Sequence, residues 1–218
     1  MATHKFNSVF RKLWNHTPLQ FPAFSGQRTM MMPVILGSLK GVPWAYKELV
    51  SQLFLHVEAR FIGKVGYLTI DEKELRWGET LRRSGLHVDG YYHGKCGAWG
   101  GGGGWGSVGN GMLTISSTPH CRAYLGKVFG TPKDEGECDH LEMPNKGEVF
   151  EAGEVYWVDG ACVHESLPVV CTTKRQFVRL SMPSNGPWFE GYTENPHGIL
   201  PTGEILPRRD KYMGSDNG

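Results

Sequence analysis

The sequence lacks the features that mark membrane-spanning and nucleic-acid-binding proteins. Among its 218 residues, no apolar run approaches the roughly 18 residues that a bilayer-spanning helix needs. Lysine and arginine number 23 against 22 aspartate and glutamate residues, and this formal net charge of +1 is not the strong basic excess expected of a duplex-binding surface. We therefore expect neither a membrane protein nor a nucleic-acid substrate.

Paired cysteines are lacking as well. The five cysteines are an odd number without the spacing of a disulfide framework, which is typical of reduced thiols. Residues 1–15 alternate polar and apolar side chains without the apolar segment of a secretory signal. We expect a soluble, cytoplasmic protein. Cys138-Asp139-His140 and His120-Cys121 lack the Cys-x-x-Cys pair of structural zinc sites, so we interpret them as surface and loop residues.

Length and composition indicate a single domain over residues 1–218, because no shift in composition marks a second one. We expect its core over about residues 60–185, an N-terminal arm and helix over residues 1–59, and a C-terminal tail over residues 186–218. Apolar residues at four-residue steps after a proline predict the helix over residues 43–60.

Two side chains that bind metals stand two residues apart in His87-Val88-Asp89. If residues 86–90 form a strand, successive side chains point to opposite faces of the sheet. His87 and Asp89 then point the same way, and Val88 packs on the other side. One strand thus supplies an imidazole and a carboxylate.

His164 is the candidate for a third ligand. It lies 75 positions after Asp89 (164 − 89), which is enough chain to go around a β-fold and return beside the first strand. The apolar residues 155–158 follow a turn and predict a strand that leads toward His164. Two imidazoles and one carboxylate are the ligand set of a mononuclear ferrous site with open coordination positions.

Residues 175–182 show the clearest alternation in the chain. One face carries Arg175, Phe177, Arg179 and Ser181, and the other carries Gln176, Val178, Leu180 and Met182. If the second face packs in the core, both arginines and the serine face a cavity. A buried guanidinium requires an anion, and a carboxylate bound bidentately, with the serine hydroxyl as a further donor, meets this requirement.

Together, His87-x-Asp89, His164 and Arg179-x-Ser181 resemble the Fe(II)/2-oxoglutarate-dependent oxygenase superfamily, in the same order along the chain. The resemblance implies a mainly β fold, the double-stranded β-helix or jelly roll, flanked by the arm and the helix. It implies an enzyme, a non-haem dioxygenase in which His87, Asp89 and His164 are the catalytic iron ligands, with 2-oxoglutarate and O2 as co-substrates.

The same resemblance implies that Arg179 and Ser181 bind the distal carboxylate of 2-oxoglutarate. Arg175 is a competing anchor, because the gap from the distal histidine to the arginine varies in this family, but only Arg179 has a serine two residues on. Residues 112–116 read as a strand, and in the family a strand at this place often contributes to the co-substrate pocket. Thr114 is therefore a weaker candidate for co-substrate binding.

The presence of Asp89 favours hydroxylation, desaturation or ring formation, since related halogenases lack this carboxylate and bind halide in its place. We expect a small molecule or a short peptide as the substrate, and the sequence specifies neither its identity nor the oligomeric state. Arg83, Tyr91, Trp99 and Trp105 are weaker candidates for substrate contacts. Residues 100–104 are five consecutive glycines between two of these side chains, and they suit either a lid over the site or a surface loop.

Two other hypotheses stay open. A cupin-like dioxygenase or isomerase would use the same metal on a similar barrel without 2-oxoglutarate, and Arg179 would then hold the substrate itself. A non-catalytic binding module would keep the barrel and bind no divalent metal, although the presence of all three ligands weighs against it.

Overall fold

Short β-strands dominate the computed structural model, which describes residues 5–15, 17–89, 91–92, 95–96, 110–133, 136–184 and 186–208, with the side chains of 91, 92, 95 and 96 excluded. The prediction of a mainly β chain is confirmed. The strands are β1 (Lys5–Ser8), β2 (Phe10–Lys12), β3 (Arg28–Ile35), β4 (Val65–Leu75), β5 (Tyr91–Tyr92), β6 (Lys95–Cys96), β7 (Met112–Ser116), β8 (Cys121–Ala123), β9 (Gly126–Phe129), β10 (Glu148–Val149), β11 (Tyr156–Val158), β12 (His164–Ser166), β13 (Thr173–Ser181), β14 (Trp188–Phe189) and β15 (Ile205–Leu206).

The largest sheet has six strands in the order β2-β11-β7-β13-β4-β3, and every neighbouring pair is antiparallel. Strand β13 lies near its middle and pairs with β4 over its full length, from Thr173 opposite Leu75 to Ser181 opposite Tyr67. Strands β2 and β3 form the two edges. The N-terminal arm therefore contributes two strands to the main sheet.

A second, three-stranded antiparallel sheet has the order β10-β8-β12. The strand predicted over residues 86–90 is reduced to isolated bridges that His87 makes with His164 and with Glu137. This segment runs between two others, since the Val88 amide donates to the Gly136 carbonyl while the His87 amide donates to the His164 carbonyl. The prediction of a regular strand here was wrong, but the extended pairing of His87 remains.

The single α-helix of the described residues, α1 (Lys47–Phe54), is shorter than the predicted helix over residues 43–60. One turn of 3-10 helix precedes it at Trp44–Tyr46 and another follows at Ala59–Phe61. After Phe54 the amides bond to carbonyls three residues back rather than four, and this tightening ends the α-helix.

The main hydrophobic core lies between α1 and one face of the six-stranded sheet. Leu49, Leu53, Val178 and Leu180 are at most 3% exposed there. Because even-numbered residues of β13 fill this core, its odd-numbered residues point to the opposite face, as the alternation predicted. No helix in the described part of the chain has the length and apolar character to cross a membrane.

Candidate active site

A cavity of about 340 Å³ lies between the six-stranded and the three-stranded sheet. Its walls come from β7, β11 and β13 on one side and from β8, β12 and the segment before β5 on the other. The predicted metal ligands and the two arginines of β13 all line this cavity. The charged and polar side chains in its walls include Arg82, Arg83, His87, Asp89, Thr114, His164, Glu165, Ser166, Arg175 and Arg179.

The structure brings the three predicted metal ligands together. One ligand atom from each of His87, Asp89 and His164 lies within 4.8 Å of the other two. The His164 Nε2 and Asp89 Oδ2 atoms are 3.6 Å apart, and the two imidazole ring centres are 4.4 Å apart. Two nitrogens and one oxygen converging from one side form a donor set that suits a divalent transition metal with open positions.

Both imidazoles are oriented by backbone carbonyls. His87 Nδ1 lies 2.8 Å from the Gly85 oxygen, and His164 Nδ1 lies 3.0 Å from the Cys162 oxygen. A carbonyl only accepts, so each Nδ1 carries a proton, and in the neutral form of each ring Nε2 has the lone pair that binds a metal. Burial, assisted by the nearby charges of His164 and Arg83, lowers the pKa of His87 to about 3, so this ring is neutral at pH 7.

Asp89 is ionised and paired. Burial by itself would raise its pKa, but the positive charge of Arg179, with smaller contributions from the two histidines, lowers the pKa of Asp89 well below its usual range. Arg179 Nη1 donates to Asp89 Oδ2 at 2.8 Å. Arg179, the preferred co-substrate anchor in the sequence, therefore contacts one of the metal ligands directly.

Arg175 lies deeper in the cavity and has a different environment. It is 1% exposed, and its Nη1 and Nε donate to the hydroxyls of Ser166 at 2.8 Å and Ser116 at 3.3 Å. No carboxylate among the described residues forms an ion pair with it. Burial lowers the pKa of Arg175 to about 10, which still leaves the side chain protonated at pH 7. A buried guanidinium held only by neutral hydroxyls is a site for an anion.

Ser181 and Thr114 are placed differently from each other. Ser181 is fully buried and is not among the residues that line the cavity, whereas Arg179 is. Thr114 lines the cavity, and its hydroxyl oxygen has no hydrogen-bond partner among the described residues. Thr114 therefore offers a free donor to a molecule in the cavity.

The weaker substrate candidates are only partly described. Arg83 lines the cavity and lies 3.5 Å from Glu137. Tyr91 belongs to strand β5, but its side chain lies outside the described part of the structure, as do Trp99, Trp105 and the whole of residues 100–104.

Glu165 lines the cavity and accepts from Arg122 at 2.8 Å and from the Tyr124 hydroxyl at 2.8 Å. The structure corrects one further interpretation. Cys138, interpreted as a surface or loop residue, is fully buried. The cluster of metal-binding side chains found among the described residues consists of His87, Asp89 and His164 and does not include Cys138.

Three residues that contribute to the site were not predicted from the sequence. Ser116 and Ser166 hold Arg175, and Gly136 bonds to the segment between the metal ligands. The two serines could have been predicted, because each stands two residues after a candidate residue on the same strand and so shares its face. Ser116 follows Thr114, and Ser166 follows His164. Gly136 could not have been predicted, since its contact with Val88 joins distant parts of the chain.

Comparisons with known proteins add little to this geometry. No protein-family model matches the sequence, and no curated protein matches it. Among solved structures, one described as the apo form of the non-heme monooxygenase ThoJ aligns with 80% of this chain and 75% of its own, with 13% sequence identity and a TM-score of 0.33.

Proposed function

We propose that the protein is a non-haem Fe(II)/2-oxoglutarate-dependent dioxygenase that oxidises a C–H bond of a small molecule or short peptide. One observation carries this proposal: a two-histidine, one-carboxylate cluster lines the same cavity as a buried guanidinium that forms no ion pair among the described residues. The first suits Fe(II), and the second suits the distal carboxylate of a dicarboxylic keto acid.

The strand order supports a jelly-roll arrangement. Ordering the strands as they pair, β4-β13-β7-β11 form the central part of the six-stranded sheet, and the His87 segment, β12, β8 and β10 continue from one another in the second. Each sheet therefore alternates early and late strands of the core, as two opposed halves of a double-stranded β-helix do. The free thiols of Cys121, Cys138, Cys162 and Cys171 support a reducing, cytoplasmic location as part of the proposal.

In this proposal, His87, Asp89 and His164 hold the iron. Their own hydrogen bonds prepare them, because the Gly85 and Cys162 carbonyls favour the tautomer with the proton on Nδ1, in which Nε2 has the lone pair that binds a metal. When bound, Fe(II) supplies the oxidation of a C–H bond by O2, coupled to the conversion of 2-oxoglutarate into succinate and carbon dioxide. The protein residues orient the reactants and keep water out of a cavity whose walls are partly apolar.

We assign the distal carboxylate of 2-oxoglutarate to Arg175 rather than to Arg179. The keto acid chelates a metal at one end, so the group that binds its other end must lie away from the metal ligands. Arg179 contacts Asp89 directly, whereas Arg175 lies four residues earlier, about 13 Å along the strand. Ser166 and Ser116 hold its guanidinium, and Thr114, whose hydroxyl has no partner among the described residues, lies opposite Arg179 on the neighbouring strand β7.

The test uses the anaerobic protein with Fe(II) and 2-oxoglutarate. We expect the weak visible charge-transfer band of the chelate and, once air is admitted, succinate formation that depends on 2-oxoglutarate. Arg175→Gln should weaken 2-oxoglutarate binding at least about tenfold, because it removes charge-assisted hydrogen bonds, while iron binding is retained.

Other outcomes point to the alternatives. Iron binding without a band, together with iron-dependent activity that needs no keto acid, would favour the cupin-like enzyme. A protein that binds no divalent metal would favour the binding module. An equal loss of 2-oxoglutarate affinity in Arg175→Gln and in the surface variant Arg76→Gln would contradict the assignment of Arg175.

A further inference from the structure

The guanidinium of Arg179 has fewer good acceptors than its burial requires. It is 6% exposed and carries five N–H donors. Within the described part of the chain, one oxygen accepts from it, Asp89 Oδ2 at 2.8 Å. Its Nη2 lies 3.2 Å from the Met31 sulfur, a weak acceptor, and its Nε has no partner among the described residues. Asp89 is the only strong acceptor of Arg179 among the described residues, and a metal bound to Asp89 would share it.

Arg82 adds positive charge to the same region. Its Nη1 donates to Asp71 Oδ2 at 3.0 Å, and its guanidinium carbon lies 5.8 Å from the centre of the Phe177 ring, which stands on β13 between the two buried arginines. After burial, the charge of Arg82 contributes to lowering the pKa of both Arg175 and Arg179. Arg82 is thus close enough to repel both of the other guanidinium groups.

The charged groups of this cluster, counted together with the metal and the co-substrate, carry one excess positive charge. Arg82, Arg175 and Arg179 carry three positive charges, and Asp71 and Asp89 carry two negative ones. A divalent metal adds two positive charges, and 2-oxoglutarate adds two negative ones, so one positive charge is still unbalanced. The other charged pairs at the cavity, Arg83 with Glu137 and Arg122 with Glu165, are neutral as pairs. Uncompensated charge is unfavourable in a buried site.

We propose that the substrate of this enzyme is a small organic anion whose negative group binds to Arg179, with Arg82 in support, beside the metal. This inference rests on the proposed function and deepens it. Carboxylate, sulfonate and phosphate groups share the required chemistry, since each offers a planar or tetrahedral set of oxygens to a guanidinium fork. Arg179 is then a residue that determines substrate specificity.

The apolar part of the cavity wall indicates the character of the rest of the substrate. Met112, Phe150, Val158 and Phe177 provide apolar surface next to the charged groups. The volume of about 340 Å³ lies at the lower end of the range of about 300–1,000 Å³ typical of small-molecule pockets, and it must also hold the co-substrate. The structure therefore favours a short molecule with an anionic head and an apolar body.

The experiment titrates 1-butanesulfonate into the anaerobic protein loaded with Fe(II) and 2-oxoglutarate, and follows binding by calorimetry and by the shift of the chelate band. Pentanoate and butyl phosphate distinguish the three head groups, and butyl methyl sulfone is the neutral control of similar shape. We expect at least one anion to bind at least about tenfold more tightly than the sulfone, and to bind more weakly when the metal is left out.

Two substitutions locate the binding group. Arg179→Gln should weaken binding of the preferred anion at least about tenfold while metal affinity stays equal to or above that of the wild type, because Asp89 loses its competing partner. Arg179→Lys should keep more anion affinity than Arg179→Gln, since it keeps the charge. The matched control is Arg76→Gln, which removes the same charge from an exposed position and should leave anion binding unchanged.

The outcomes separate this inference from the proposed function. A wild-type protein without a chelate band would overturn the proposed function itself. A normal band with equal affinity for the sulfone and all three anions, or with unchanged anion affinity in Arg179→Gln, would overturn the substrate inference alone. If Arg179→Gln fails to fold, Arg82→Gln provides the test at a less buried side chain, and an unchanged anion affinity there would count against the inference.

Discussion

His87 and His164 exchange both of their backbone hydrogen bonds: the His87 amide donates to the His164 carbonyl at 3.0 Å, and the His164 amide donates to the His87 carbonyl at 2.9 Å. This antiparallel bridge joins two segments that are 77 residues apart (164 − 87). Because the backbone holds the two imidazoles side by side, their separation does not depend on a bound metal.

Removing one of these imidazoles should abolish tight metal binding. For His87→Ala we expect the affinity for Fe(II) or Mn(II) to fall by more than about 100-fold, since even changes to residues behind metal ligands cost 10–100-fold. Calorimetric titration of the metal measures this. His197→Ala removes an exposed histidine and is the matched control. Equal metal affinities in the two variants would contradict the assignment of His87 as a ligand.

Gly136 should prove essential to the geometry of the metal ligands. Its φ is +82°, and a Cβ there would lie 2.2 Å from the Val88 carbonyl oxygen, between His87 and Asp89. We expect Gly136→Ala to lower the free energy of unfolding by more than about 2 kcal/mol, of which the left-handed backbone accounts for about 1–2 kcal/mol, and to weaken metal binding.

Gly63→Ala separates the backbone strain caused by Gly136→Ala from its steric contact with Val88. Gly63 has a similar φ of +83°, but a Cβ there meets nothing within 4 Å. This variant should therefore show the backbone strain alone, with unchanged metal affinity. Chemical denaturation and metal titration of both proteins provide the comparison. If the two variants lose the same stability and neither loses metal affinity, then the contact between residue 136 and Val88 does not affect the metal ligands.

The hydroxyl of Thr114 should matter for ligand binding and not for folding. Because its oxygen has no partner among the described residues, Thr114→Val should leave the free energy of unfolding unchanged or raise it by up to about 1 kcal/mol. We expect the affinity for 2-oxoglutarate, measured by the chelate band, to fall by up to about tenfold. Thr118 has a similarly unpartnered hydroxyl but does not line the cavity, so Thr118→Val should leave this affinity unchanged.

Glu72 should make the stability of the protein depend on pH. Its Oε1 accepts from the Tyr46 hydroxyl and from Gln176 Nε2, and its Oε2 accepts from the amides of Ser25 and Gln27 at 2.7 and 2.9 Å. Burial opposes the charged form, but these hydrogen bonds lower the pKa of Glu72 below 4.5. A lowered folded-state pKa stabilises the protein above pH 4.5, and this contribution disappears as the pH falls through the folded-state value.

Glu72→Gln tests this assignment. The amide places a donor against donors, so we expect a loss of about 1–3 kcal/mol in the free energy of unfolding at pH 7 and a weaker pH dependence below pH 4.5. Urea denaturation across this pH range gives both quantities. Glu74→Gln, at a side chain that is 56% exposed, is the control and should behave like the wild type. A wild-type pH profile in Glu72→Gln would argue against the role of Glu72.

The amino-acid sequence alone predicted the cluster of His87, Asp89 and His164, which the structure brings together, and the strand that faces the cavity. His87 and Asp89 were predictable because they stand two residues apart, and the alternation along β13 assigns Arg175 and Arg179 to one face by backbone geometry alone. These are local properties. The strands β7, β11 and β13 were predictable for the same reason, and the resemblance to a known family predicted the mainly β class.

The tertiary structure alone decided which of the two arginines forms no ion pair with a carboxylate among the described residues. Both have the same chemistry and lie on the same face, and only the fold places Asp89 beside Arg179 while Ser116 and Ser166 surround Arg175. It also replaced the predicted strand at residues 86–90 by a bridge and shortened the predicted helix. The physical reason is that the charge and hydrogen-bond environment of a side chain depends on segments distant in sequence, which a local pattern does not record.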